Sequence, residues 1–181
     1  MIRPAVDGDW TALDAVERAA DALFYGLISL PQGPSRTGPG QPGFALVAEL
    51  AERIIGFAHV LEFDGRFHLE QLSVHPDAQG QGIGAVLLTA AERAVTARGG
   101  SVVTLRTFAD VPWNAPFYRR HGYADAELPV AMRGLIEAER RLGLLATGAR
   151  VTLAKQVAAD AVPLPAVSVL PLRDGADGLE V

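Results

Sequence analysis

A short glycine-rich stretch is the part of this sequence best suited to chemistry. Residues 79–84 read Gln-Gly-Gln-Gly-Ile-Gly and lie between an expected strand and an amphipathic helix. Glycines at alternate positions let the backbone come close to a ligand and point several N–H groups at it. The N-terminus of the helix adds roughly half a positive charge. Together these features predict an anion site, and the natural anion is a pyrophosphate.

One candidate ligand with a pyrophosphate is a dinucleotide, because the spacing Gly80-x-Gly82-x-x-Ala85 fits the sequence fingerprint of dinucleotide-binding proteins. That fingerprint needs the glycines directly after the strand and an acidic residue about 20 positions further on. Here Pro76 and a loop intervene, and residues 101–108 contain no acid. The sequence therefore disfavours a dinucleotide-binding oxidoreductase.

The stretch LSVHPDAQGQGIGAVLL closely resembles the acetyl-CoA signature of the GNAT superfamily of N-acyltransferases. That signature is Gln or Arg, two residues, Gly, one residue, then Gly or Ala. A second sequence motif of the family has two adjacent aromatic residues, followed a few positions later by a glycine and another aromatic residue. The matching residues are Gln79, Gly82 and Gly84 in the first block and Phe117, Tyr118, Gly122 and Tyr123 in the second. The resemblance covers about residues 2–157 and implies an α/β fold: a mixed, mostly antiparallel sheet with a central parallel pair, flanked by helices.

The resemblance implies an N-acetyltransferase that moves an acetyl group from acetyl-CoA to a primary amine by direct attack, without a metal. In the family, the strand before the loop separates from its parallel neighbour at a bulge, and pantetheine lies in the gap. The positions that carry over to acetyl-CoA binding are Leu72, Ser73, Val74, Gln79, Gly80, Gln81, Gly82, Ile83, Gly84, Ala85, Asn114, Phe117, Tyr118 and Arg120. Arg119 is the alternative to Arg120 for the adenosine end. The family often has Asn where this chain has Val111, and Asn114 is the asparagine nearby.

The resemblance also implies catalytic residues on two elements. Family members place the base four or six residues before the residue matching Val74, and these positions are Glu70 and His68. The two-residue period of a strand puts both on one face. Glu62, on the neighbouring strand, is a third candidate. Tyr118 occupies the position of the usual acid, and a phenol with an ordinary pKa near 10 stays protonated at neutral pH.

A different function class stays open: a CoA-binding sensor or interaction module that has lost catalysis. In that interpretation Glu70 and His68 form a cross-strand pair on a solvated sheet face, and Tyr118 is a core aromatic residue. The presence of both Glu70 and Tyr118 favours an enzyme. The acceptor amine, whether of a small molecule or a peptide, is not specified by the sequence.

The elements that must position these residues follow from periodicity and turn residues. Asp9 is predicted to cap a first helix, and Asp64-Gly65 predicts a two-residue hairpin turn. The apolar face of that helix comprises Leu13, Val16, Ala20, Leu23, Phe24 and Leu27. Strands are predicted over 44–50, 54–63, 66–74, 102–108 and 151–157, and helices over 83–97, 115–121 and 132–145. The step from strand 66–74 through helix 83–97 to strand 102–108 predicts a right-handed parallel crossover.

Two segments lie apart from these elements. Residues 31–43 contain eight Pro or Gly and predict a loop, either a surface insertion or a rim on the substrate side. Residues 158–181 are apolar, with prolines that favour an extended arm packed on the domain or on a second subunit. We therefore expect a GNAT-like domain over 1–157, an arm over 158–181, and a homodimer.

Composition excludes several function classes. The 181 residues carry 16 basic and 21 acidic side chains, a formal net charge of −5, which argues against a general nucleic-acid partner. Cysteine is absent, which removes disulfides, zinc–thiolate sites and thiol nucleophiles. No apolar run is long enough for a membrane span, and the N-terminus lacks the pattern of a secretory signal. These features predict a cytoplasmic protein with no membrane partner.

Overall fold

A computed structural model describes residues 1–28, 30, 38 and 40–157. Most of the predicted loop over 31–43 and all of the predicted arm over 158–181 lie outside the described residues. The division of the chain into a domain and an arm therefore stays a prediction, as does the homodimer.

The described part of the chain forms one seven-stranded sheet in the order β1-β2-β3-β4-β5-β7-β6. The strands are β1 (Ile2–Pro4), β2 (Phe44–Leu50), β3 (Arg53–Phe63), β4 (Arg66–Val74), β5 (Val102–Phe108), β6 (Ala124–Asp125) and β7 (Arg150–Gln156). All neighbouring strands are antiparallel except β4 and β5, which are parallel. The predicted fold class, a mostly antiparallel sheet with a central parallel pair, is confirmed.

Helices cover both faces of this sheet. They are α1 (Trp10–Asp21), α2 (Ile83–Ala97), α3 (Ala115–Arg120) and α4 (Gly134–Arg141). On one face, Leu87 and Leu88 of α2 are buried in the main core with residues of β2 to β5 and β7. On the other face, Leu13 and Val16 of α1 pack against Phe57 of β3 and its neighbours. The alternation of buried residues along the strands thus supplies two apolar layers, one on each side.

The hairpin between β3 and β4 forms as predicted. Asp64 and Gly65 have φ angles of 48° and 71°, and a two-residue type I′ turn needs positive φ at both positions. Because this turn is tight, it fixes where β4 starts and which face each of its first side chains occupies.

The start of the first helix differs from the prediction. Asp9 makes no side-chain capping bond to α1. Its carboxylate instead accepts hydrogen bonds from Arg3 Nη1 at 2.7 Å and from the Val6 N–H at 2.8 Å. The helix also ends at Asp21 and passes into a 3₁₀ turn, so Leu23 and Leu27 are exposed rather than on the buried face. An ion pair with Arg3 of β1 has therefore replaced the predicted helix cap.

The predicted helix over 132–145 is also shorter in the structure, because α4 covers only Gly134–Arg141. Met132 is buried in a preceding 3₁₀ turn, and Gly143, at a φ of 75°, interrupts the helical backbone before a second turn. A glycine in the left-handed region ends a helix without steric cost. The two-residue strand β6 was not predicted, since it is too short to show a period.

Candidate active site

Strands β4 and β5 separate halfway along their length. Their last paired residues are Leu69 and Leu105, although β4 continues to Val74 and β5 to Phe108. The far sides of both strands stay paired, β4 with β3 and β5 with β7. The backbone edges that face each other beyond Leu69 therefore border a gap in the sheet.

A β-bulge marks the point of separation. Val60 of β3 pairs with Leu69, and the preceding residue, His59, pairs with Gln71. Glu70 is therefore one extra residue in β4, and such a bulge bends a strand and re-aims its side chains. The residue that the sequence places as first candidate for the base thus lies where the strands part.

The glycine-rich loop follows directly after β4. The Gln79 side-chain amide donates to the Val74 carbonyl at 3.2 Å, which ties the loop to the end of the strand. Gly80 and Gly82 have φ angles of 74° and 77°, in the left-handed region that favours glycine. A Cβ atom at either position would meet nothing within 4 Å. The space in front of this backbone is therefore open to a ligand.

The N-terminus of α2 adds unpaired donors to this loop. The first N–H group with a partner in the helix is that of Val86, which donates to the Gly82 carbonyl at 3.1 Å. The preceding N–H groups, those of Ile83, Gly84 and Ala85, have no acceptor within the helix. Three such donors on a 15-residue helix, beside open space, suit an anionic group such as a pyrophosphate.

Helix α3 packs against the start of α2. A Cβ atom on Gly84 would lie 3.6 Å from the Phe117 ring, an ordinary van der Waals distance. The Phe117 ring also contacts the Tyr118 ring edge-on at 5.1 Å and the His121 ring in a tilted arrangement at 4.4 Å between centroids. Phe117 therefore sets the distance between the glycine loop and the helix that carries Tyr118.

A cavity of about 70 Å³ lies in the gap between the two strands. Four of the residues predicted for the site line it: Glu70, Leu72, Asn114 and Tyr118. Arg106 and Arg150, which were not predicted, line it as well. The structure thus brings the predicted base and acid to one cavity at the end of the parallel pair.

His68 lies beside Glu70 but is buried, with 2% of its surface exposed. Its Nε2 atom is 3.9 Å from Glu70 Oε2, so the two share a face as predicted. Its Nδ1 atom is 2.9 Å from Thr104 Oγ1. The same Thr104 hydroxyl is 3.2 Å from the Phe67 carbonyl, so it joins the His68 ring to the backbone of β4.

Burial also decides the charge states of two of these groups. It lowers the pKa of His68 to about 3, with Arg106 and Arg150 acting in the same direction. His68 is therefore neutral at working pH. Burial raises the pKa of Tyr118 above its ordinary value of 10, against a smaller opposite effect of Arg150. The Tyr118 hydroxyl therefore keeps its proton.

A buried ionic network behind the cavity was missed by the sequence analysis. Arg106 of β5 donates to Glu139 at 2.9 Å and to Thr152 at 2.7 Å, and Arg150 of β7 donates to Glu139 at 2.6 Å. The available signal was the position of Arg106 in the strand VVTLRTF, where a charged residue interrupts a buried apolar run. A buried guanidinium requires a partner, but only the fold reveals that Glu139 of α4 supplies it.

Other predicted residues lie outside this cavity. Glu62 pairs with Arg98 at 3.4 Å, near the opposite end of β4. Arg119 Nη2 donates to both carboxylate oxygens of Asp125, and Arg120 is exposed. Gln81, also exposed, donates to the Asp77 carbonyl at 3.4 Å.

Ser73 is buried and accepts a hydrogen bond from the Gln71 amide at 2.9 Å. Within the ranges that the structure describes, no three His, Asp or Glu side chains are grouped to hold a metal ion. Those ranges also contain no helix with the length and apolar character that crossing a membrane requires.

Comparison with known proteins identifies the arrangement. Residues 41–125, which contain the bulge, the glycine loop and Tyr118, match the family model described as Acetyltransferase (GNAT) domain. PaiA N-acetyltransferase from Thermoplasma acidophilum, solved with coenzyme A, superimposes with a TM-score of 0.64 at 16% identity, over 86% of this chain and 98% of that chain. The ribosomal-protein-S18-alanine N-acetyltransferase from Escherichia coli gives 0.62 at 17% identity, over 94% and 98%.

N-acetylglutamate synthase from Neisseria gonorrhoeae, solved with coenzyme A and N-acetyl-glutamate, gives a TM-score of 0.65 at 19% identity. That match covers 87% of this chain and 35% of the synthase chain. These structures share the overall fold of this chain, and the matched family model covers the bulge and the glycine loop. The chain is therefore an enzyme with a GNAT acetyltransferase domain.

Proposed function

We propose that this enzyme transfers the acetyl group of acetyl-CoA to a primary amine by direct attack. The observation that carries the proposal is the separation of β4 from β5 after Leu69, with the cavity and the glycine loop beyond it. The gap exposes backbone edges, the loop offers unpaired N–H groups, and the cavity contains a carboxylate and a phenol. Each of the three parts of an acetyl transfer thus has residues suited to it.

Residues 72–74 and 80–85 would hold acetyl-CoA. The unpaired edge of β4 suits the amide groups of pantetheine, because backbone edges bind extended chains by strand-like hydrogen bonds. The N–H groups from Gly80 to Ala85 suit the pyrophosphate, so that a protein with a net charge of −5 binds an anion without a basic side chain. When bound, acetyl-CoA supplies an acetyl thioester, an activated acyl group.

Glu70 is the base in this proposal. An amine must lose a proton to attack, and a carboxylate at the cavity wall can accept it directly or through one water molecule. The bulge supports this role, because it directs Glu70 to the point where the strands separate. His68 is a poorer base, since its pKa of about 3 leaves it little affinity for a proton.

Tyr118 is the acid. Its hydroxyl stays protonated because burial raises its pKa, so it can donate to the sulfur that leaves the acyl group. Two aromatic neighbours hold its ring edge-on, Phe117 at 5.1 Å and Tyr123 at 5.8 Å between centroids. A rigid phenol at the cavity wall suits proton donation to one fixed atom.

Release of free CoA thiol from acetyl-CoA in the presence of a panel of amines tests the proposal. The panel contains small polyamines, amino acids and peptides with free N-termini. Calorimetry on the same protein measures acetyl-CoA binding separately. We expect binding, together with amine-dependent thiol release by at least one class. Binding without amine-dependent release from any class would contradict catalysis and favour a CoA-binding module.

A further inference from the structure

Arg106 occupies an unusual place for a guanidinium group. Its neighbours in β5, Leu105 and Thr107, are buried, and its own side chain is only 10% exposed. Yet Arg106 lines the cavity between β4 and β5, on the strand opposite Glu70. Burying a cation costs free energy unless partners compensate for lost water. The partners that Arg106 has, and those it lacks, therefore indicate what else it binds.

Two of the three guanidinium nitrogens of Arg106 have acceptors. Nε donates to Glu139 at 2.9 Å and Nη1 donates to Thr152 at 2.7 Å. Nη2 has no acceptor among the residues that the structure describes, and it is not among their fully buried polar atoms. The two bonds hold the guanidinium group in place and leave Nη2 available to a further acceptor, on a residue that lines the cavity.

The Glu139 carboxylate binds both Arg106 and Arg150. Both positive charges act on the site, where they add to the lowering of the pKa of His68. A carboxylate group placed against Arg106 would therefore find a positive charge and an N–H donor that has no acceptor among the described residues.

The other ionic groups of the cavity have the opposite sign. Asp21 and Glu70 line it together with the arginines. A cavity with anionic and cationic walls matches a ligand with both charges. Its volume of about 70 Å³ exceeds that of one water site several-fold and suits a small polar group.

We propose that the acceptor is an amino-acid-like molecule, whose carboxylate binds to the Arg106 guanidinium while its amine faces Glu70. This inference rests on the proposed acetyl transfer and names its substrate class. The reaction is balanced: the amine nitrogen bonds to the acetyl carbon, the carbon–sulfur bond breaks, one amine proton goes to Glu70, and the thiolate gains a proton from Tyr118. The acceptor carboxylate takes no part in the bond changes.

Matched acceptors test the inference on the intact protein. Thiol release is measured with free amino acids and with their primary amides, and kcat/KM is expressed per concentration of unprotonated amine. We expect the acids to exceed the amides by roughly 10- to 100-fold, the range for a hydrogen bond to a charged group. Equal rates for acids and amides would overturn the inference alone. Thiol release with no amine at all would contradict the proposed function and this inference with it.

Two variants connect the preference to Arg106. Arg106→Gln removes the charge, and Arg106→Lys keeps the charge but loses the planar fork. We expect Arg106→Gln to abolish the preference for acids with unchanged acetyl-CoA affinity, and Arg106→Lys to retain part of it. Arg53→Gln, at the exposed start of β3, is the charge-matched control and keeps the preference. An undiminished preference in a folded Arg106→Gln protein would overturn the assignment, and the wild-type panel decides the substrate class even if that variant does not fold.

Discussion

The side chains of His68 and Thr104 are joined by a hydrogen bond of 2.9 Å between Nδ1 and Oγ1. These two residues face each other across the parallel pair, one position before the strands part. The bond therefore links the side chains of β4 and β5 just before the two strands separate. It also fixes the imidazole ring next to Glu70. Its loss should affect both stability and the geometry of the site.

Thr104→Val replaces the hydroxyl by a methyl group of similar size. We expect a loss of about 1–3 kcal/mol in the free energy of unfolding, because the His68 Nδ1 atom is then buried without a hydrogen-bond partner. Urea denaturation measures the loss. Thr104→Ser keeps the hydroxyl and serves as control. Equal stability of the two variants would show that the bond contributes nothing.

Gly82→Val tests the glycine loop. The new side chain enters the space in front of the loop, so we expect the loss of measurable acetyl-CoA binding by calorimetry. Gly99→Val is a matched control at the other end of α2, since Gly99 has a φ of 84° and also has nothing within 4 Å of its Cβ position. Both substitutions carry similar backbone strain, but only Gly82→Val should weaken binding. Unchanged acetyl-CoA affinity in Gly82→Val would contradict the assignment of the loop to acetyl-CoA binding.

Tyr118→Phe removes the proposed acid. We expect kcat to fall by roughly 10²–10⁴-fold with little change in acetyl-CoA affinity, because the hydroxyl acts when the sulfur leaves. Tyr123→Phe removes a buried hydroxyl from the neighbouring ring and should leave kcat near the wild-type value. Turnover by Tyr118→Phe within a factor of two of wild type would reduce Tyr118 to a packing role.

Glu70→Gln removes the proposed base and keeps the shape of the side chain. The deficit in rate should be greatest at low pH, where the amine is mostly protonated and help with deprotonation matters most. At high pH free amine is abundant, so the deficit should shrink. A pH–rate profile with the same shape in wild type and variant would move the base to another residue or to solvent.

Acid should weaken the fold through its buried histidines. His59 is fully buried, no described residue hydrogen-bonds to its ring, and burial lowers its pKa to about 4 from an ordinary 6.5. His59 therefore binds a proton in the unfolded chain at a pH at which it stays neutral in the folded chain. The free energy of unfolding is highest above pH 6.5 and decreases as the pH drops towards 4. By pH 5 the loss is about 2 kcal/mol.

His59→Leu tests this linkage. The variant should lose less stability than wild type when the pH is lowered from 7.5 to 5, as measured by urea denaturation at each pH. An equal loss in both proteins would contradict the assigned shift.

The extent of the main strands could be predicted from the sequence because each carries its own signal. Alternation and turn residues placed β4 at 66–74 and α2 at 83–97, and both bounds are those of the structure. The anion site at the glycine loop followed from its own residues and Tyr118 from the family resemblance, since both lie in contiguous motifs. Such features depend on residues close together in the chain.

Features that depend on distant residues could not be predicted. The family resemblance implied a bulge in this strand, but its position at Glu70 arises from the match between β3 and β4, and the segment HLEQLS shows no local break in its pattern. Asp9 has the residue type of a helix cap, but Arg3 competes for its carboxylate. The partner of Arg106 lies 33 residues away on α4, beyond the reach of any periodicity.

The bulge has a consequence for insertions and deletions. Leu69 and Gln71 pair with consecutive residues of β3, so the ladder would run without interruption if Glu70 were absent. Removal of this single codon would leave every other side chain of β4 on its present face. It would also let β4 continue alongside β5 and close the gap. We expect such a shortened chain to fold into a more regular sheet with no room for either substrate. A regular sheet favours the strand without Glu70, whereas activity requires the strand that contains it.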